Sequence, residues 1–412
     1  MIHADPYLAE PLRACEANGD IHARPLRGGI VIPSPVPGYD LAAFMLLAHL
    51  PYAVAVIVWG VALWSAVLLT ILALRRLTGM PFNVLIPALI LSDGYASSVY
   101  GNLAPLAVGG LSVAAWCTSR RRYALAALGM LAAMCEPHIC LGALAACFFF
   151  MPLARGPIFL GACALGVLTY AATGVRQTLE YIRDVLPRHV ASETANNAGQ
   201  YSLTNLLHIL GASDRAAILA GHLCYVAMFV IGIAVAQRLS VAYREEAFLV
   251  LIPPAFALIG GAFIHITQMA VALPAGFLLY ARIAPLRPSL RAVIMLLAVP
   301  WTLCVQLSFI FPIVAICVAL LARTFVPNRP LAAALVMVQL AVIFAAAVVT
   351  MRFHTTLPAP TYGEFPATAY AEDVWRLAIQ TKHSPNVAFF LPLKLPTWCG
   401  LVMLAWAAMR AK

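Results

Sequence analysis

Charge is what this chain has least of. Only 10% of its 412 residues are charged, against about 25% in a soluble domain. Residues 41–74 contain no Asp, Glu, Lys or Arg, and Arg75-Arg76 closes that run. About 20 apolar residues cross the hydrocarbon of a bilayer as a helix. The scarcity of charge therefore excludes a string of soluble domains and predicts an all-α, polytopic transmembrane bundle.

Other absences narrow the chemistry. There is no C-x-x-C pair, although the chain has ten cysteines, and most of those lie in or beside apolar runs, where cysteine acts as a small hydrophobe. No His/Cys/Glu spacing near His265 completes a metal site. A phosphate-binding Walker loop, a dinucleotide fingerprint and a G-x-S-x-G elbow are all missing. ATP-driven transport and serine hydrolysis are thus unsupported, and no cofactor or metal is expected. The net charge of +10 does not indicate nucleic acid, because no basic stripe is interleaved with aromatics. The first 40 residues hold several acids, arginines and prolines and no apolar core, so they do not read as a signal peptide.

What is present is hydrophobic: 63% of the residues, with a mean hydropathy of +0.90. Apolar runs fall near 52–74, 82–98, 103–119, 123–135, 138–153, 156–173, 216–237, 246–263, 267–281, 292–307, 310–324, 331–350 and 396–410. Some are too short for a full crossing, so eleven to thirteen crossings are expected, the rest being half-helices or re-entrant segments. Pro51 divides the first run, making 41–50 an interfacial helix that leads into a crossing near Tyr52.

The loops sort by charge. Arg75-Arg76, Arg120-Arg121-Arg122, Arg155, Arg238 with Arg244, Arg282 with Arg287 and Arg291, Arg323 with Arg329, and Arg410 with Lys412 fall on one side. Positive-inside makes that side cytoplasmic. The polar segments 1–40, 174–215 and 351–395 then lie outside, as do all acidic residues except Glu245 and Glu246. The division is a polar segment 1–40 followed by one transmembrane domain, 41–412.

Four constellations can carry chemistry. Ser92-Asp93-Gly94-Tyr95 with Tyr100-Gly101-Asn102 is either a cavity wall or a plain turn. Glu136-Pro137-His138 sits inside the apolar stretch 123–151, where an acid beside a histidine at a helix break is costly in hydrocarbon; the alternative is a tight turn in water. The loop 174–215 mixes Glu180, Arg183, Asp184, Arg188, His189, Glu193, Gln200 and Asn205, a set that can hydrogen-bond a sugar or phosphate or simply be solvated. Arg183 and Arg188 can clamp a phosphate bidentately. The run Phe263 to Gln268 places His265 between two apolar stretches, as a structural or a catalytic group.

The order of these features resembles the GT-C integral-membrane glycosyltransferases, and within them glycosyltransferase family 87. Four stretches carry the likeness. The run from Pro37 to Pro51 precedes a Trp-bearing crossing. Gly101-Asn102-Leu103 precedes a crossing and the Arg120–Arg122 cluster. Gln200-Tyr201-Ser202-Leu203-Thr204-Asn205 is similar to an N-Q-S-L stretch, and His265 is followed by Pro274. Together they cover roughly 37–281.

The resemblance implies transfer of a mannose-like sugar from a polyprenyl-phosphate donor to a glycan or glycolipid acceptor, within the lipid of a bacterial plasma membrane. The family usually has Lys where this chain has Glu136, and it opens with a helix and an aspartate-bearing loop that have no counterpart before Asp5. Asp5 or Glu10 is the expected base and His265 a catalytic partner. Substrate contacts fall to Asn102, Glu136, His138, Arg183, Arg188, Gln200 and Asn205. A flippase of lipid-linked sugars and an inactive truncated relative are the competing readings.

Overall fold

The computed structural model describes residues 36–95, 101–194, 199–261, 263–299, 311–325 and 390–411, with a few positions between 330 and 341. Asp5, Glu10, the expected crossing at 331–350 and the polar segment 351–395 lie wholly or mainly outside these residues.

The described chain is helical, with one isolated antiparallel bridge and no named strand. In order, the helices are α1 (Gly38–Leu47), α2 (Tyr52–Thr78), α3 (Phe82–Leu89), α4 (Ala104–Ser119), α5 (Tyr123–Ala132), α6 (Pro137–Phe150), α7 (Pro152–Glu180) and α8 (Leu186–Glu193). There follow α9 (Leu203–Ile209), α10 (Asp214–Tyr243), α11 (Ala247–Ala257), α12 (Ala272–Arg282), α13 (Arg287–Ala298), α14 (Phe311–Phe325) and α15 (Phe390–Arg410). Proline starts α6 and α7, where its missing N–H costs nothing. Pro87 lies inside α3, and a π-turn, Ile90–Tyr95, follows it.

α11 is the centre. Every one of its residues is buried, which suits a helix that is apolar all round. It packs on α4, α6, α10 and α12. Two glycines set a close crossing between α4 and α5. A Cβ on Gly110 would lie 2.5 Å from the Gly129 carbonyl oxygen, and one on Gly129 2.8 Å from that of Gly110.

Three helices are long and apolar enough to cross a membrane: Tyr52–Thr78, Pro152–Ala191 and Asp214–Tyr243. A fourth arises if Ile266–Arg282 and Ala284–Ala298, bent by 119°, form one broken span. Most of the other expected crossings appear as shorter apolar helices. Prolines, π-turns and short 3-10 segments interrupt them where hydropathy alone shows continuous runs. The long helices expose apolar side chains, among them Phe159, Leu160 and Val167 on α7 and Leu219, Leu223 and Val226 on α10.

The arginine clusters cap helix ends. Arg155 donates to the carbonyls of Phe148 (2.8 Å) and Phe149 (2.9 Å) at the end of α6. Arg238 does the same for Ala408 (2.8 Å) and Met409 (2.7 Å) at the end of α15. Arg282 reaches Leu77 O (3.2 Å), at the end of α2, and pairs with Glu245. These are the orphan carbonyls at the negative end of a helix dipole.

Candidate active site

The opposite helix ends converge on a cavity of about 690 Å³. Its wall takes Gly38 and Tyr39 from the start of α1, Asn102 ahead of α4, and Glu136 and His138 from the α5–α6 turn. Thr169, Thr173 and Thr178 come from α7, His189 from α8, and Phe263, His265 and Gln268 from the segment before α12. α4, α5, α6, α7 and α12 thus each have an arginine at or beside one end and a cavity residue at the other.

Residues that are scattered in sequence become neighbours here. Gln268 is the hinge: its Oε1 accepts the His265 backbone N–H (2.7 Å), and its Nε2 donates to Glu136 Oε2 (2.8 Å). His138 Nδ1 stands 3.8 Å from the same Glu136 oxygen. Burial, reinforced by the nearby Asp40 charge and opposed by the Gln268 hydrogen bond, pushes the Glu136 carboxyl up to about 8. Burial thus favours the neutral form of the Glu136 carboxyl beside His138. Burial likewise pushes Asp40 up to about 7.

A second bridge forms behind His265. Gln200 pairs with it in the isolated β-bridge. Tyr201 N–H donates to Ile264 O (2.6 Å), and Ile266 N–H to Gly199 O (2.9 Å). The Ile264 N–H fixes the Gln200 amide by donating to its Oε1 (2.9 Å). Nε2 must then face the site, where it donates to Glu193 Oε2 (2.7 Å) and lies 3.1 Å from His265 Nδ1. The aromatic ring of Phe263 sits among three imidazoles, with centroids 4.6 Å from His138, 5.1 Å from His189 and 6.2 Å from His265.

The candidate residues from the sequence divide as follows. Asn102, Glu136, His138 and His265 line the one cavity, and Gln200 stands directly behind it. Asn102 Oδ1 also accepts the Ala104 N–H (2.9 Å), helping to start α4. Asn205 is buried and joins elements: its Nδ2 donates to Thr194 O (2.9 Å), and its Oδ1 accepts from Lys394 Nζ (2.6 Å) on α15. Arg183 is exposed on the π-turn Tyr181–Val185 and is not part of the cavity lining; Arg188 lies on α8. Among the described residues, the lining contains no Lys or Arg.

Tyr39 was not legible as a lining residue, nor Lys394 as the buried partner of Asn205. Tyr39 O–H donates to Met134 O (2.7 Å) and so ties α1 to the α5–α6 turn. Asp93 is fully buried in its π-turn, and neither carboxylate oxygen has a hydrogen-bond partner among the described residues.

No known protein family, no curated protein and no solved structure matches the chain.

Proposed function

We propose that this chain is a polytopic membrane glycosyltransferase of the GT-C kind, similar to glycosyltransferase family 87. It would move a mannose-like sugar from a polyprenyl-phosphate donor to a glycan or glycolipid acceptor, on the outer side of a bacterial plasma membrane. The observation that carries this reading is the cavity of about 690 Å³ at one set of ends of five apolar helices, lined among the described residues by no Lys or Arg, with arginines at or beside the opposite ends. Positive-inside places those ends outside the cytoplasm. A cavity of that size suits a sugar with its phosphate, and the exposed apolar faces of α7 and α10 suit lipid.

The chemistry would be an inverting displacement. The acceptor hydroxyl attacks the anomeric carbon, the carbon–oxygen bond to phosphate breaks, and the polyprenyl phosphate departs with the electron pair. One carboxylate takes the hydroxyl proton, a role assigned to Asp5 or Glu10. His265, held by Gln268 and Gln200, faces the departing phosphate as a hydrogen-bond partner. Glu136 and His138, adjacent in the cavity wall, contact the bound substrate.

The flippase reading gains one observation, the buried Asp93 beside a proline-broken helix. Purified protein incubated with labelled polyprenyl-phosphate mannose and a membrane glycolipid extract separates the two. A transferase makes labelled acceptor with a new covalent bond, whereas a flippase moves the donor and makes none.

A further inference from the structure

We propose that His189, Glu193 and His265 form a binding site for one divalent transition-metal ion of the zinc class, opening into the cavity. Each offers one ligand atom, and these atoms all lie within 4.8 Å of one another. His189 and Glu193 are four residues apart on α8, so they share one helix face; both are buried. His265 arrives from the segment before α12, through the bridge with Gln200. Two imidazoles and a carboxylate are the donor set of an open zinc site, which keeps a further position for water or substrate. That position faces the cavity, because His189 and His265 both line it.

The surroundings are those of a supported site. Phe263 packs against both imidazoles, with ring centroids 5.1 Å and 6.2 Å away, which limits their rotation. Gln200 donates to Glu193 Oε2 and approaches His265 Nδ1 with the same amide nitrogen. A cation would take the lone pairs that this amide now addresses, so the metal competes with Gln200 and is not held by it. Ligand atoms in a tetrahedral zinc site are about 3.3 Å apart. Closing from 4.8 Å asks for side-chain rotations that move atoms on the order of 1 Å.

The site also meets a need of the transfer proposed above, on which this part of the inference rests. A departing phosphate needs positive charge, and the described lining has no Lys or Arg. A dication beside His265 supplies that charge from within the cavity, where Arg183 does not reach.

The test uses the full chain in detergent, first treated with a chelator and then dialysed. Zn²⁺ is titrated in and bound metal measured, and Co²⁺ is used as a spectroscopic substitute. The expected result is about one ion per chain, with cobalt bands of mixed imidazole and carboxylate ligation. Affinity should fall by more than about 100-fold in His189→Ala and in His265→Ala, beyond the range for outer partners. It should be unchanged in His222→Ala, an exposed histidine on α10, and unchanged or tighter in Gln200→Ala.

No stoichiometric uptake by the unsubstituted chain overturns the proposal, and so does uptake indifferent to both histidine substitutions. This readout needs no sugar substrate. Metal uptake without transfer contradicts the transferase reading and leaves the site standing, while full transfer after chelation contradicts the metal's role in it.

Discussion

Gln268 Nε2 donates to Glu136 Oε2 across 2.8 Å, joining residues 132 positions apart. The same side chain accepts the His265 N–H at 2.7 Å. One buried amide therefore sets both the acid of the α5–α6 turn and the histidine ahead of α12. Gln268→Ala leaves a buried carboxyl oxygen unpaired, at about 1–3 kcal/mol, and frees a half-buried backbone N–H. The expected result is a lower thermal midpoint in detergent together with loss of transfer. Gln268→Glu should be worse, because it sets two acids against each other.

Glu136 makes stability pH-dependent in a defined direction. Its folded-state value of about 8 lies above the ordinary carboxyl value of 4.5. Between these limits the folded state holds a proton that the unfolded state has released. Stability is greatest below the lower limit and falls as pH rises toward 8, by up to about 1.4 kcal/mol per pH unit from this group. Glu136→Gln keeps a neutral side chain of the same shape and should flatten the decline. Thermal midpoints of both proteins from pH 5 to about 8 check this; parallel slopes would remove Glu136 as the cause.

Lys394 is buried on α15, with its ammonium 2.6 Å from Asn205 Oδ1 and 5.6 Å from the centre of the Tyr201 ring. It is not among the cavity-lining residues. Lys394→Met should therefore act on stability, through an Asn205 oxygen left without its donor, at about 1–3 kcal/mol. In a transfer assay below the melting range, substrate KM should stay within about twofold of the parent.

The α4–α5 crossing has no room for a larger side chain at Gly110 or Gly129. Gly129→Leu should force the helices apart, lower the yield of monodisperse protein and cost about 1–3 kcal/mol or more, as overpacking does. Gly156→Leu, at a position where an added Cβ meets nothing within 4 Å, is the matched control.

Hydropathy made the helices legible, because each apolar run needs an internal hydrogen-bond partner for every backbone group. It did not show where the runs break. Pro87 and the π-turn after it lie inside a stretch that reads as one continuous span. The Glu136-Pro137-His138 site was legible as an acid at a helix break, since proline marks the break and the charge marks its cost. The Gln200–His265 bridge was not legible, because an isolated pair has no periodic pattern. For the same reason His189 and Glu193 read as loop residues: the partner that completes their cluster comes from a distant segment. Lys394 was hidden by lying beside an apolar run, where a lone lysine reads as a solvated helix end.

The most direct test of the account is covalent sugar transfer by the purified chain. Labelled polyprenyl-phosphate mannose and a glycolipid acceptor extract are supplied to the parent protein and to His265→Ala and His222→Ala, with folding verified by size exclusion. The account predicts labelled acceptor from the parent and from His222→Ala, and a rate lower by at least about 100-fold in His265→Ala. Labelled acceptor formed equally by all three, or by none while donor is moved across a vesicle membrane, would contradict it.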